Sequence, residues 1–190
     1  RSFSPQADEK ILPDVETIPA GTLDLDALMR ASRAISGEMA IGRLLDRLMR
    51  HMVETAGAQR GLLLLSHGDE LRIEAEKAPD DERITVLQSV PAAESDHLSQ
   101  AILYYVARTL ESVVLDDARL EGEFANTTYV RKWQIRSVLC APIRHQGRLT
   151  GIIYLENNLS PRVFTPERTR VLRLLASQAA ISIQNVRMVE

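Results

Sequence analysis

The chain has 190 residues, of which 45% are hydrophobic and 26% charged, and its formal net charge is −3. This is the composition of an ordinary soluble globular protein, and it gives no basic footprint for binding nucleic acid or an anionic membrane. A single cysteine excludes an internal disulfide framework and fits a reducing, cytoplasmic setting. No apolar run approaches the roughly 20 residues of a membrane-spanning helix.

The first 21 residues are predicted to be a linker, because they contain three prolines and no sustained periodicity. From Leu23 the apolar residues step by three and four, which predicts a helix that ends near Gly37. A second helix is predicted from Ile41 to Ala56, where Gly57 stops it. Because the sequence begins without methionine and ends inside a helical pattern, we expect a piece of a longer protein.

Three strands are predicted next. Residues 60–65 include a continuous apolar run, which indicates a strand buried on both faces. After a turn at residues 67–69, residues 71–76 alternate between apolar and polar side chains, as a half-exposed partner strand does. Residues 84–90 form a third, weaker candidate.

A helix over residues 98–106 is predicted to follow, with Ser95 or Asp96 as its cap. Residues 112–115 then predict a short strand, and the pair Asp116–Asp117 comes directly after it. Two adjacent carboxylates at a strand end could face the mouth of a pocket or cap the turn that follows.

The sequence SVLCAPIRHQGRLTGIIYLENN, residues 137–158, predicts two strands joined by a tight turn at Gly147. Pro142 lacks an N–H group, so we place it at a bulge or an unpaired position of the first strand. Gly151 opens the second strand, where a side chain would crowd a neighbouring backbone. Residues 152–155 are apolar on both faces, which predicts a central strand with helices on one side and a pocket or loops on the other.

The last helix is predicted to begin at Pro166, with Thr165 as its cap, and to continue to Glu190. Its apolar residues step by three and four, like the seam of a coiled coil, and the first helix has similar spacing. We therefore predict a homodimer that pairs through the two terminal helices, with residues 166–190 as a signalling and dimerisation helix. The predicted interface residues are Leu25, Leu28, Ile35, Leu172, Leu175, Ala179, Val186 and Val189.

The order of the elements predicts an α+β fold over residues 22–190. Its centre is an antiparallel sheet of five to six strands, with the N-terminal and C-terminal helices packed on one face.

The sequence carries no signature of catalysis or of metal binding. There is no G-x-x-x-x-G-K-[ST], no G-x-S-x-G and no H-E-x-x-H. The four histidines are scattered along the chain, so we predict neither catalytic residues nor a metal site. Cys140 lies in a predicted buried strand, where a free cysteine behaves as a small hydrophobe.

The motifs RSVLCAPI, GIIYLENN and FTPER, the last leading into LRLLASQAAISIQN, resemble those of GAF domains, and the resemblance covers about residues 25–190. GAF domains are small-molecule sensing and dimerisation modules with a profilin- or PAS-like sandwich. The resemblance implies terminal helices on one face of the sheet and a ligand pocket on the other. It is strongest to the GAF region of large bacterial proteins that combine a serine/threonine-kinase-like domain, an ATPase-like module and a C-terminal sensor histidine kinase.

The resemblance implies a pocket roofed by the helix at residues 98–109, the strand end at residues 115–117 and the irregular stretch at residues 119–133. Each candidate pocket residue could equally belong to the core. The candidates are Leu115, Asp116, Phe124, Tyr129, Val138 and Tyr154. The signatures of cyclic-nucleotide-binding and bilin-binding members are absent, so the ligand and any cofactor stay open.

The function that the resemblance implies is a non-catalytic regulatory sensor domain of a cytoplasmic, bacterial two-component signalling protein. It would bind an unidentified small molecule, dimerise, or both, and so control an adjoining kinase domain. The alternative is a ligand-free dimerisation or spacer module. A third possibility, a methionine-sulfoxide reductase, needs reactive cysteines, and a single buried Cys140 argues against it.

Overall fold

The computed structural model describes the backbone of residues 25–188 and the side chains of residues 36–179, 181–183 and 185. The predicted linker, residues 1–21, lies outside this range. In chain order the elements are α1 Leu25–Ala56, β1 Arg60–His67, β2 Glu70–Lys77, β3 Ile84–Pro91, α2 Gln100–Thr109, β4 Val113–Leu115, α3 Thr128–Trp133, β5 Ser137–His145, β6 Arg148–Asn157 and α4 Pro166–Met188.

The six strands form one sheet in the order β3-β2-β1-β6-β5-β4, and each pair of neighbours is antiparallel. The predicted α+β class is therefore confirmed, and β6 is a central strand as expected. A Cβ atom on Gly151 would collide with the carbonyl oxygen of Leu64 on β1, so the predicted crowding is also real. Pro142 is paired with Ile152 of β6 rather than lying at the expected bulge or unpaired position. The shift in strand register falls one residue later, between Ile143 and Arg144.

The first face of the sheet is covered by α1 and α4, which pack side by side. The start of α4 meets the end of α1, because Arg168 Nη1 donates to the carbonyl oxygen of Ala56 at 3.2 Å. The two helices therefore run antiparallel. Their shared core with the sheet includes Leu45, Met49, Met52, Leu63, Leu139, Ile153, Leu155, Phe164, Leu172, Ala176, Ala179 and Ile183.

The predicted break in the first helix is wrong, since α1 runs without interruption through Gly37. One glycine inside a helix costs only about 1 kcal/mol relative to alanine, and the residues that follow supply an apolar face to bury. Packing of that face against the sheet outweighs the local preference for a break.

The predicted pairing seam on α4 is wrong for two of its residues. Leu172 is 2% exposed and Ala179 is fully buried, both inside the domain's own core, so they have no surface left for a second copy. Leu175 is half-buried against the same core. The side chains of Leu25, Leu28, Ile35, Val186 and Val189 lie outside the described residues.

The outward face of α4 carries different apolar residues. Val171 is 36% exposed, Leu174 68% and Ile181 46%. These residues are spaced three and seven apart, which places them on one side of the helix. The predicted cap of α4 is present, since the Thr165 hydroxyl accepts from the amide of Arg168 at 3.4 Å.

The second face of the sheet is covered by α2 and by the connection between β4 and β5. The cap of α2 is Ser99, whose hydroxyl accepts from the amide of Ile102, so the predicted caps Ser95 and Asp96 are wrong. The helix starts later because Ser95 belongs to the end of a short 3₁₀ turn that precedes it. Within the described part of the chain, no helix has both the length and the apolarity needed to span a membrane.

Candidate functional site

The second face holds a carboxylate that is almost fully removed from water. Glu156, on the central strand β6, is 1% exposed. Its Oε1 atom accepts hydrogen bonds from two phenols, that of Tyr154 at 2.7 Å and that of Tyr129 at 2.8 Å. A buried carboxylate is stable only when hydrogen bonds or opposite charges replace its lost hydration. The two tyrosines therefore form the inner part of the site.

Arg60, at the start of β1, links this carboxylate to a second one. Its Nε atom lies 3.9 Å from Glu156 Oε2, while its Nη1 atom donates to Glu76 Oε1 at 3.1 Å. Nδ1 of His97 lies 2.7 Å from the same Glu76 oxygen. One guanidinium thus faces two carboxylates, and Glu156 receives only the longer of the two contacts.

The hydroxyl of Tyr154 is the point at which α2 is tied to the sheet. It accepts from the amide of Ser99 at 3.1 Å and donates to Glu156. Tyr154 is fully buried and Ser99 is 1% exposed, so both bonds lie in the interior. The N-terminus of α2 is consequently fixed to the central strand.

The surroundings of Glu156, Tyr129 and Tyr154 favour the neutral form of each side chain. Burial raises the pKa of Glu156, against the opposing effects of the two phenol hydrogen bonds and of Arg60. Burial, together with the neighbouring carboxylate, raises the pKa of Tyr129 and that of Tyr154. Both phenols are therefore protonated at neutral pH and act as hydrogen-bond donors. The cluster can bind groups that donate hydrogen bonds, but it offers no activated nucleophile.

Five of the six predicted pocket residues belong to the core of the second face or pack against it. Val138 and Tyr154 are fully buried and Phe124 is 9% exposed, all within the core of the second face. Leu115 and Tyr129 are partly buried against that core.

Asp116 and Asp117 differ in their surroundings, and only Asp117 takes one of the two roles that the sequence left open. The Asp116 side chain is 57% exposed and lies 3.8 Å from Arg162. Asp117 caps the next turn, since its Oδ1 atom accepts from the amide of Arg119 at 3.1 Å. The Arg119 side chain also donates to it, and these hydrogen bonds lower the pKa of Asp117.

Tyr129 and Tyr154 were among the predicted pocket residues, whereas Glu156 and its other partners were not predicted. One signal was available: Glu156 is a charged residue directly after an apolar run on a strand predicted to be central. Such a residue needs buried partners, although the sequence does not say which ones. Arg60, Glu76 and His97 approach it from separate parts of the chain.

An open cleft of about 210 Å³ lies beside the network, between β2, β3 and the turn before α2. It contacts the network through Glu76 and His97, and none of the six predicted pocket residues lines it. Its lining is Ile73, Glu74, Ala75, Glu76, Thr85, Gln88, Val90, Glu94, Ser95, Asp96 and His97.

Two observations concern possible metal ligands and the single thiol. Among the described residues, no group of three or more His, Cys, Asp or Glu side chains is placed to hold a metal ion. Cys140 is fully buried on β5, and burial raises the pKa of its thiol. A thiol in that setting is a packing group rather than a nucleophile.

Comparison with known proteins gives a match over most of the chain. The family model described as "GAF domain" matches residues 41–183. The "Hybrid signal transduction histidine kinase G" of Dictyostelium discoideum is 40% identical over 88 residues, which are 46% of this chain and 3% of that protein. "Histidine protein kinase 1" of Candida albicans is 24% identical over 172 residues, which are 87% of this chain and 7% of that protein. The chain thus spans a small fraction of the length of both relatives.

A solved structure has the same fold. The GAF domain of an Acinetobacter phosphoenolpyruvate-protein phosphotransferase superposes with a TM-score of 0.59 at 18% identity, covering 89% of this chain and 97% of that one. At that identity the likeness concerns the fold alone.

Proposed function

The chain belongs to the GAF domain family, and on that premise we propose that it is a small-molecule sensor and dimerisation domain within a larger histidine kinase. GAF domains are regulatory sensor domains and not catalytic ones, which agrees with the absence of an activated nucleophile in the Glu156 network. The bacterial origin and cytoplasmic location suggested by the sequence remain predictions, and the two histidine kinase relatives are eukaryotic.

The observation that carries this proposal is the position of β6 between the two faces. Tyr154 and Glu156 point to the second face, whereas Ile153 and Leu155 belong to the core shared with α1 and α4. Successive side chains of a strand point to opposite faces. A ligand that moved Tyr154 or Glu156 would therefore disturb the packing beneath the terminal helices, which lead toward neighbouring domains.

A sensor needs two states that differ in their affinity for the ligand. In the state described here, side chains fill much of the second face, including the positions of Phe124, Val138 and Tyr154. Ligand binding there would require α2 or the β4–β5 connection to move. The rearranged form would be the second state.

Dimerisation is proposed to use the outward face of α4. A second copy would cover Val171, Leu174 and Ile181 in place of the buried residues that the sequence suggested. Because α1 and α4 are antiparallel, the N-terminal part of α1 lies near the C-terminal part of α4 and could join the same interface.

The second candidate function is a ligand-free dimerisation spacer. The filled second face favours it, since three of the six predicted pocket residues are at most 9% exposed. The two candidates differ in whether the protein retains a small molecule.

Native mass spectrometry of protein purified without denaturation separates them. The sensor proposal expects a dimer with additional small-molecule mass, which denaturation releases. A dimer without additional mass would favour the spacer. A monomer at micromolar concentration would contradict pairing through α4 in the chain by itself.

A further inference from the structure

The connection between β4 and β5, residues 116–136, makes a hydrogen bond to the central strand through a phenol hydroxyl. The phenol oxygen of Tyr129 lies 2.8 Å from Glu156 Oε1 and 2.9 Å from the main-chain oxygen of His97. A phenol has one proton, so it donates to one of these acceptors at a time. The connection, β6 and the turn before α2 therefore meet at a single donor.

The connection has less regular structure than the sheet it covers. It consists of turns and the six-residue helix α3, whose cap residue Thr127 makes no side-chain bond to the helix. Both ends of the connection are pinned. The amide of Ala118 donates to the carbonyl oxygen of Arg136 at 2.8 Å, and the carbonyl oxygen of Asp116 accepts from the amide of Arg162 at 2.9 Å. The residues between these pins can therefore open by local unfolding while the base of the connection stays in place.

Glu156 keeps partners whether or not Tyr129 is present. Tyr154 donates to it from the same strand, and Arg60 lies 3.9 Å away. Release of Tyr129 therefore exposes an acceptor without leaving a buried charge completely unpaired. Movement of the connection would also lift Phe124 and Val130 from the core of the second face. The uncovered surface would be apolar, with one carboxylate at its edge.

We propose that residues 118–136 form a lid, that the Tyr129 hydroxyl is its latch, and that a ligand opens the lid by presenting its own hydrogen-bond donor to Glu156. The ligand class that fits is a small, largely apolar molecule with a hydroxyl or an amine. An apolar body replaces the contacts of Phe124 and Val130, and the donor replaces the phenol. This proposal rests on the ligand-binding part of the proposed function.

Hydrogen exchange of the Tyr129→Phe variant tests the latch. The substitution keeps the ring and removes only the hydroxyl, so the fold should persist. We expect about tenfold to hundredfold faster exchange of the amides of Arg131 and Ile135, because a hydrogen bond to a charged group stabilises the closed state by about that factor. The amides of β1 and β6 should exchange at the wild-type rate. Unchanged exchange in the lid, or equal acceleration in lid and sheet, would overturn the proposal.

The matched control is Tyr104→Phe. Tyr104 lies on α2 and is 58% exposed, so the same chemical change should leave exchange in the lid unaltered. Trp133, the chain's single tryptophan, lies on α3 four residues after Tyr129 and is 51% exposed. Its fluorescence gives an independent readout of lid position, and a spectrum unchanged in Tyr129→Phe would count against lid movement.

The ligand class is tested on the wild-type protein with two aromatic probes of similar size. We expect 4-methylphenol at millimolar concentration to accelerate exchange in the lid, because its hydroxyl donates to Glu156 in place of the Tyr129 phenol, and toluene to have no such effect. Equal effects of the two compounds, or no effect of 4-methylphenol, would overturn the ligand assignment. These experiments need neither the native ligand nor a dimer. Failure of the lid experiments would remove the latch and leave the sensor proposal standing. Absence of retained ligand in native mass spectrometry would contradict the sensor proposal and the assigned ligand class, while the hydrogen-exchange test of the latch would stand.

Discussion

Tyr154 and Glu156 lie two residues apart on β6, on the same side of the sheet, and the Tyr154 hydroxyl donates to Glu156 Oε1 at 2.7 Å. The same hydroxyl accepts from the amide of Ser99, so one buried oxygen joins the central strand to the start of α2. The alternation of side chains along a strand makes this pairing possible, and the burial of both residues makes it strong.

The first prediction concerns this hydroxyl. Tyr154→Phe should lower the free energy of unfolding by about 2–4 kcal/mol, because it removes a hydrogen bond to a buried carboxylate and leaves the Ser99 amide without an acceptor. Urea denaturation measures the change. Tyr104→Phe, at an exposed position, should change the free energy of unfolding by less than about 0.5 kcal/mol. Similar values for the two variants would contradict the network as described.

The second prediction concerns pH. Burial raises the pKa of Glu156 above its unfolded value of 4.5, so the folded state binds a proton more tightly than the unfolded state. The ionised form therefore destabilises the fold at pH values above the folded pKa, and this cost disappears as the pH falls toward 4.5. Wild type should consequently gain stability relative to Glu156→Gln as the pH is lowered from 8 to 5.

Asp117 supplies the control for this experiment, because its shift has the opposite sign. The hydrogen bonds from Arg119 lower the pKa of Asp117 below its unfolded value of 3.8. Its contribution to stability is complete above 3.8 and is lost only at lower pH. The difference in stability between wild type and Asp117→Asn should therefore be constant from pH 8 to pH 5. A flat profile for Glu156→Gln over the same range would refute the raised pKa.

The third prediction concerns the close approach of β6 and β1. Gly151→Ala places a methyl group against the carbonyl oxygen of Leu64, a backbone atom that cannot move without breaking the ladder. We expect a loss of about 3 kcal/mol in the free energy of unfolding, at the upper end of the cost of overpacking.

Gly42→Ala is the comparison for this substitution, because the tightest contact of a Cβ atom there is with the flexible end of Leu87, at 3.2 Å. Gly42 lies within α1, where alanine is the better helix former, so the variant should gain up to about 1 kcal/mol. Thermal unfolding measures both effects, which should have opposite signs. Equal changes in Tm for the two variants would contradict a steric conflict between residue 151 and the carbonyl oxygen of Leu64.

The hairpin and the sheet could be predicted from the sequence because their signals are local. Gly147 and Gly151 lie within a few residues of the apolar runs that form the two strands. The apolar residues 152–155 indicate a strand covered on both faces. The terminal helices were predicted in type and approximate position for the same reason.

The Glu156 network could not be predicted, because its members are distant in sequence. Tyr129 is 27 residues from Glu156, and Arg60 and Glu76 belong to other strands. Their meeting depends on the order of strands and on the path of the β4–β5 connection, which periodicity does not specify. The heptad-like spacing of α4 was ambiguous in a related way, since it reveals an apolar stripe without saying whether the sheet, α1 or a second copy covers it.

The last prediction tests whether a second copy of the chain covers the outward face of α4. Leu174 is 68% exposed on its outward face, so Leu174→Asp should leave the free energy of unfolding of the monomer within about 0.5 kcal/mol of wild type. A charge at the centre of an apolar interface should raise the dimer dissociation constant at least tenfold. Sedimentation over a range of concentrations measures that constant, and urea denaturation of dilute protein measures stability.

Leu159→Asp is the matched control, because Leu159 is 72% exposed and lies outside α4. It introduces the same charge and should leave the dissociation constant unchanged. Leu172→Asp, in contrast, buries a carboxylate in the domain's own core and should unfold the domain rather than produce a folded monomer. If Leu174→Asp dimerised as tightly as wild type, the outward face of α4 would not be the interface. Pairing would then depend on α1 or on residues beyond the described part of the chain.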